Sequence, residues 1–431
     1  MKNGKKFWLG ILVGVLSTVV LCFAATVVFQ MYYINWQLGS GLISSNKGTN
    51  NTQVESDANG SEGENAELSE KLDWDTISSK AEFLEELLSM YYLNEYTAED
   101  MENGVYKGLV SSLGDPYTVY YSEEEYAKFV ESSSGSYCGI GVQVSQNMST
   151  GIITIVRTFV NGSSYEEGVL PGDIIYKVEE EEVTGIDLNN VVTKIKGEEG
   201  TYVNITVYRE SEQEYLTFRL QRRQIVVDTI SHEMLEDKIG YISIMEFDEV
   251  TYDQFVVALD DLEKQGMEAL IVDVRDNGGG LLDQVCAILD RLLPEGLIVY
   301  TEDKNGKREE DFSTATESYD NPMVVLVNGN SASASEIFAG ALQDYGVATI
   351  LGTQTFGKGI VQRLLPLTDG TAVKVTISKY YTPNGTNIHG VGITPDVELD
   401  LNDELKSKPI VPKDEDNQLQ EAIKLLKKEM K

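Results

Sequence analysis

Two apolar runs, each closed by a turn and followed by a helical pattern, limit the folds open to this chain. Leu270-Ile271-Val272-Asp273-Val274 is dense enough in large apolar residues to be a strand covered on both faces. It ends in Arg275-Asp276-Asn277-Gly278-Gly279-Gly280, after which Leu281, Val285, Leu289 and Leu292 recur at helical spacing. Met323-Val324-Val325-Leu326-Val327 repeats the pattern. Its turn runs from Asn328 to Glu336, and its helix carries Ile337, Phe338, Leu342 and Tyr345. Strands alternating with helices over residues 223–400 predict an α/β core. The chain has 431 residues, 42% of them apolar, so two or more domains with ordinary packed cores are expected.

The turns carry the chemistry, and each admits a plain structural reading beside a functional one. Three consecutive glycines cost chain entropy and suit a tight turn or a close backbone approach to a ligand. A phosphate cradle is disfavoured because no GxxxxGK[ST] is present. Bare N–H groups beside a reacting carbonyl and a simple strand-to-helix turn both remain open. Ser333 sits in a strand–turn–helix frame that can present a nucleophile, yet Ser333-x-x-Glu336 is equally a capping box. Thr355-Phe356-Gly357-Lys358-Gly359-Ile360-Val361-Gln362 places a lysine between glycines inside an apolar stretch. Burial disfavours an ammonium and lowers its pKa, and a neutral amine can take a proton from serine. Gln362, four residues on, is placed to hold that amine. The chain has two histidines, His232 between strands and His389 in a Gly- and Pro-rich segment. Each reads as an ordinary structural or surface residue, which makes Lys358 the better base than a histidine acting in a Ser-His-Asp hydrolase.

At the N-terminus, Lys2, Lys5 and Lys6 precede Phe7–Phe29, 23 residues without a charge. That length spans a bilayer as a helix, with the basic flank in the cytoplasm. A retained anchor is expected over a cleaved signal peptide, whose apolar core is usually ~7–15 residues, and Cys22-Phe23-Ala24-Ala25 fits a cleavage site poorly. Residues 1–33 are thus read as stub and transmembrane helix, and residues 34–73, rich in Ser, Asn, Gly and Glu, as a flexible linker. With 70 acidic against 34 basic residues the formal charge is −36, which repels nucleic acid. Three cysteines are too few for a disulfide framework, and no CxxC or His/Cys cluster suggests a metal site.

Residues 74–134 read as helical, with apolar faces at Phe83, Leu84, Leu87, Leu88 and Tyr91 and at Val105, Leu109 and Leu113. Residues 401–431 form a charged tail ending in an amphipathic helix through Leu419, Ala422, Ile423 and Leu426. Either helical region could pack on the core or make a homodimer contact. Residues 135–222 read as short strands around a Leu188–Ile195 helix, with a turn at Leu170-Pro171-Gly172-Asp173. In size and order this segment resembles a PDZ domain. Gly139, Ile140, Gly141 and Val142 stand where a PDZ domain binds a peptide's C-terminal carboxylate on bare N–H groups, the peptide adding a strand beside Val142–Val144. A glycine-containing hairpin without a ligand is the other reading.

From about Phe83 to Leu425 the chain resembles the C-terminal processing peptidases, or tail-specific proteases. The resemblance is carried by Leu113-Gly114-Asp115-Pro116-Tyr117, the PDZ signatures with Pro171-Gly172-Asp173, Asp273–Gly280, Ser331–Leu342, Thr355–Gln362, Lys379–Gly385 and Gly390–Asp396. It implies that Ser333, the middle serine of Ser-Ala-Ser-Ala-Ser-Glu, is the nucleophile. It implies that Lys358, 25 positions later, is the base, assisted by Gln362. The oxyanion donors would be Ala334 N–H and that of Gly279 or Gly280. Gly278 and Cys138 depart from the residues common in the family. The implied protein is an α/β (α+β) multidomain enzyme: an N-terminal transmembrane helix, a helical segment, a PDZ domain before or within the core, and the Ser-Lys peptidase core at 223–400. It would be a single-pass membrane protein, or a secreted one after signal cleavage, with its catalytic part outside the cytoplasm. It would need no metal or organic cofactor. It would cleave proteins near their C-termini, the PDZ domain capturing apolar C-terminal tails and gating the site. A catalytically inactive PDZ scaffold at the membrane is the alternative.

Overall fold

The computed structural model describes residues 71–314, 318–406, 408 and 411–430. The Phe7–Phe29 run and nearly all of the 34–73 linker lie outside them. Among the described residues no helix is long and apolar enough to cross a membrane. The chain divides into two units, residues 1–92 and 93–431. In the first, helix α1 (Trp74–Tyr91) starts at Asp73, whose carboxylate accepts the Thr76 N–H at 3.2 Å, and none of its residues is buried.

The second unit opens with α2 (Ala98–Ser111), β1 (Val119–Tyr121) and α3 (Glu123–Ser133). Capping boxes Thr97/Asp100 and Ser122/Glu125 start the two helices by satisfying their first N–H groups. The strand lies inside a segment read from the sequence as helical. Its three residues pair antiparallel with Ala372–Lys374 of the core, a partner more than 250 residues away that local patterning cannot reveal.

A small β unit follows: β2 (Ser136–Gly139), β3 (Val142–Gln146), β4 (Ile153–Thr158), α4 (Ser163–Glu166), β5 (Ile174–Val178), β6 (Glu181–Glu182), α5 (Leu188–Ile195), β7 (Tyr202–Arg209) and β8 (Glu214–Gln221). Then β9 (Arg223–Val226) returns to pair antiparallel with β2. The sheet order is β3-β4-β5-β7-β8, so β3 is an edge strand. Val203, Ile205 and Val207 alternate inward from β7 onto Ile155, Ile175, Val191 and Leu220. The Pro171-Gly172-Asp173 turn is fixed by charge. Arg209 grips Asp173 through Nε at 2.8 Å and Nη2 at 2.7 Å, and the same carboxylate accepts the Leu170 N–H.

The core comprises β10 (Ile230–Met234), β11 (Ile239–Ile244), α6 (Thr251–Lys264), β12 (Ala269–Asp273), α7 (Leu282–Asp290), β13 (Gly296–Asp303), β14 (Arg308–Ser313), β15 (Met323–Val327), α8 (Ala334–Asp344), β16 (Thr349–Gly352), β17 (Ile360–Pro366), β18 (Ala372–Tyr381), β19 (Val397–Glu398) and α9 (Asn417–Glu429). One sheet runs β10-β11-β12-β15-β16-β19, parallel except for β10. Alternate residues face opposite layers. Val272 and Val325 pack with Phe255, Leu289 and Phe338 of α6, α7 and α8, while Ile271 and Val324 pack with Leu419 and Leu426 of α9. The amphipathic tail is therefore a layer of the core. Its N-cap Asp416 is tied to the end of β12 by Arg275, which also grips Asp273. Beside this lies a second, antiparallel sheet, β1-β18-β13-β14 with β17 on β18, which simple strand–helix alternation over 223–400 does not anticipate. The adjacent parallel strands β12 and β15 bring the carboxyl ends of both apolar runs, and hence both turns, side by side.

Candidate active site

The three serines of the Ser331–Ser335 run have different fates. Ser331 Oγ donates to the Val274 carbonyl at 2.7 Å and Ser335 Oγ to the Asn277 carbonyl at 3.0 Å, both fully buried, stitching this turn to the glycine turn. Ser333, between them, adopts φ 54°, ψ −113° at the start of α8. A non-glycine residue there carries strain of roughly 1–3 kcal/mol that its surroundings must hold.

Glu336 supplies much of that hold. Fully buried, it accepts the Ser333 N–H at 2.9 Å and the Lys358 N–H at 2.8 Å on Oε2. Its Oε1 accepts the Gly357 N–H at 2.7 Å and the Thr355 hydroxyl at 2.6 Å. The capping box expected at Ser333-x-x-Glu336 is formed, but its carboxylate also seats the lysine loop. On the carbonyl side, the buried Tyr380 hydroxyl lies 3.0 Å from Ser333 O and 2.5 Å from Lys358 O, donating to one at a time. Two buried side chains thus register Ser333 against Lys358 through the main chain.

Ser333, Ala334, Lys358, Gln362 and Gly280 line one cavity of about 650 Å³. Lys358 Nζ lies over the Tyr117 ring, 4.8 Å from its centroid. Burial holds the amine below the ordinary lysine range, and the positive charge of Lys374 pushes the same way, against the weaker pull of Glu336 and Asp115. Lys374, also on the cavity, sits 5.5 Å from the Tyr121 ring and 5.2 Å from that of Phe129. The Gln362 amide donates to Ile360 O and Thr376 Oγ1, both at 3.4 Å. Among the described residues no hydrogen bond joins it to Lys358. Neither His232, paired with Asp261 at 3.0 Å, nor His389 lines this cavity.

The glycine turn separates the two oxyanion candidates. The Gly279 N–H already donates to Asn277 Oδ1 at 2.8 Å. Among the described residues, neither the Gly280 N–H nor the Ala334 N–H donates to a protein group, and both residues line the cavity. Glycine is required at both turn positions. A Cβ on Gly279 (φ 107°) would stand 2.7 Å from Ser333 Cβ, and one on Gly280 (φ 145°) 2.3 Å from Phe247 O. In the β unit, Gly139, Ile140, Gly141 and Val142 line a separate cavity of about 410 Å³ beside edge strand β3, with Phe159 and Val192 opposite.

The profile of peptidase family S41 matches residues 238–399, from the start of β11 through β19. Carboxy-terminal processing protease CtpB of Bacillus subtilis (strain 168) is 35% identical over 355 residues, spanning 81% of this chain and 72% of that protein. The chain belongs to peptidase family S41. The carboxy-terminal-processing protease of Bartonella bacilliformis is 34% identical over 366 residues, covering 77% of this chain and 83% of its own. Bacillus subtilis CtpA is 36% identical over 324 residues, covering 75% and 68%. This S41 member is a serine-type peptidase. The β unit precedes the matched span. Sequence reasoning gave no role to Tyr117, Lys374 or Tyr380 and saw only a cap in Glu336. The one available signal was a fully apolar helix face around a lone Glu336, which demanded buried donors from elsewhere.

Proposed function

We propose that this S41 peptidase cleaves polypeptides near their C-termini with a Ser333–Lys358 dyad. Lys358, as a neutral amine, takes the Ser333 hydroxyl proton as Oγ attacks the scissile carbonyl. The developing oxyanion is met by the N–H groups of Ala334 and Gly280; Gly279 shapes the turn. Lys358 then protonates the leaving amine and draws a proton from the water that releases the acyl group. The substrate's apolar C-terminal tail adds a strand to β3, its carboxylate on the Gly139–Gly141 loop, and this PDZ-like unit gates the site. Phe7–Phe29 anchors the enzyme with its catalytic part outside the cytoplasm.

The observation that carries this reading is the joint placement of a strained Ser333 and a half-buried, pKa-depressed Lys358 on one cavity, registered by Glu336 and Tyr380. The test is digestion of unfolded peptides that differ only in their last residues, with products read by mass spectrometry. Cleavage should depend on an apolar tail and vanish in both Ser333→Ala and Lys358→Ala. Normal cleavage by Lys358→Arg, which cannot supply a neutral amine, would overturn the dyad.

A further inference from the structure

We propose that Tyr117 is a positioning residue for the lysine base: its ring seats the Lys358 amine and stabilises the ammonium that forms when the amine takes the Ser333 proton. This inference rests on the reading of Ser333 and Lys358 as the dyad, and adds the group that holds the base.

The amine is short of polar partners. Among the described residues Lys358 Nζ makes no hydrogen bond and no ion pair. Gln362 turns its amide to Ile360 O and Thr376 Oγ1 instead. The contact that Nζ does make is with Tyr117, whose ring centroid lies 4.8 Å away. Tyr117 does not line the Ser333 cavity, so its ring holds the amine without taking space from a substrate. Among the described residues the Tyr117 hydroxyl makes no hydrogen bond, which leaves the ring as the part that acts.

The ring is fixed by its own turn and by β18. Asp115-Pro116-Tyr117-Thr118 is closed by the Thr118 N–H on Asp115 O at 3.3 Å, with proline at a position that favours such a turn. The Asp115 carboxylate accepts the Tyr117 N–H at 3.0 Å and the Thr118 hydroxyl at 2.6 Å. The buried Thr118 hydroxyl accepts the Thr376 N–H at 3.1 Å, and Val119 pairs with Lys374. Thr376 and Lys374 belong to β18, as does Tyr380, whose hydroxyl meets Lys358 O. One strand therefore places both the ring and the main chain of the lysine.

Lys358 has two opposed requirements. At rest it must be neutral. As Ser333 Oγ bonds to the scissile carbonyl carbon, its O–H bond breaks, an N–H bond forms on Lys358, and Nζ gains positive charge. Burial first and Lys374 second favour the neutral amine, while Glu336 and Asp115 pull the other way; His389 acts on Asp115 in turn. Burial alone makes the ammonium as costly during reaction as at rest. A ring face attracts a cation through its quadrupole and does little for a neutral amine, so its help grows as the charge develops.

The test follows kcat/KM against pH for the full-length chain on one peptide with an apolar tail, the rising limb reporting the Lys358 pKa. Tyr117→Leu keeps apolar cover but has no π face. Its ammonium is less stable, so the limb should move to lower pH and the plateau should fall by about 3- to 30-fold. Tyr117→Phe restores a ring and should recover the limb and most of the plateau. Phenylalanine carrying one, two or three fluorines at position 117 keeps the shape while draining the ring face, and should lower the plateau in steps. A Tyr117→Leu profile that superimposes on that of Tyr117→Phe, a uniform loss with the limb unmoved, or a limb moved to higher pH overturns the role of the ring and leaves the dyad standing. Should Tyr117→Leu not fold, a fluorinated series without trend does the same. Undiminished cleavage by Lys358→Ala overturns the dyad reading itself.

Discussion

The paired glycines after β12 and the serine after β15 adopt positive φ by opposite means. After β12 the chain uses Gly279 and Gly280, for which φ of 107° and 145° carries no side-chain penalty. After β15 it places Ser333 at φ 54° and surrounds it with Glu336 and Tyr380. The first turn also carries Asp276 at φ 59°, braced by Asn328 and Asn330, and in the proposed mechanism its function is carried by main-chain N–H groups. In the proposed mechanism the second must keep the Ser333 hydroxyl, so glycine is not available to it and buried hydrogen bonds hold the backbone instead. At the proposed nucleophile strain is tolerated, and at the proposed oxyanion donor glycine removes it.

Replacing Ser333 breaks the comparison most severely. Ser333→Ala and Ser333→Gly should each lower kcat by about 10⁵- to 10⁶-fold, measured with any cleavable peptide. They should part in stability. Glycine relieves the backbone and should unfold at a higher temperature than alanine, by about 1 kcal/mol. Equal melting temperatures would show that the Ser333 conformation is not strained.

The glycine turn is tested next. Gly280→Ala drives a Cβ to 2.3 Å from Phe247 O and should cost about 100- to 1,000-fold in kcat through the displaced N–H. Gly278→Ala is the control, since its Cβ would meet nothing within 4 Å and its φ is not positive. It should keep activity within about twofold, as surface substitutions commonly do. Glu336→Gln follows in size. An amide cannot accept four donors, so the Ser333 and Lys358 loops lose register, and kcat should fall by about 100-fold while the neutral volume is kept. An unchanged kcat would mean that Tyr380 alone suffices.

These tests also mark what could be read from the chain. The apolar runs at 270–274 and 323–327 and the helices after them were legible because burial on both faces and 3.6-residue spacing are local properties. Ser333, Lys358 and Gly280 lie together on one cavity, although the local patterns around Ser333 and the glycine turn left a plain structural reading open. The hidden parts depend on distant pairing. Tyr117 reaches Lys358 across more than 240 residues, and β1 joins β18 across a similar span. What sets Gly279 apart from Gly280 is one bond, from its N–H to the side chain of Asn277, a residue that reads in sequence as turn filler.

Lys374→Gln sharpens the electrostatic side. In the proposed dyad Lys358 must be neutral to accept a proton, so kcat/KM should rise with pH through its pKa. The Lys374 charge helps to depress that pKa, second to burial. Removing it raises the Lys358 pKa and moves the rising limb of the pH profile to higher pH. The rate at pH 7 should be lower and should converge on the unaltered enzyme's at high pH. A uniform loss at every pH would assign Lys374 a packing role between Tyr121 and Phe129 instead.

The smallest effect should appear in stability, with the sign opposite to that of most substitutions. Asp248 is raised from 3.8 to about 6 in the folded chain, chiefly by burial and then by Glu246 and Glu249. A carboxyl raised on folding holds its proton more tightly when folded. The stability it contributes is complete below pH 3.8 and is lost as pH rises through about 6. Asp248→Asn cannot ionise and avoids that loss. The variant should match the unaltered protein in unfolding free energy near pH 4 and exceed it at pH 7 by about 1–2 kcal/mol, after allowance for solvent screening. Denaturant titrations at the two pH values decide it: a variant no more stable at pH 7 than at pH 4, relative to the unaltered chain, would mean that folding does not raise the Asp248 carboxyl.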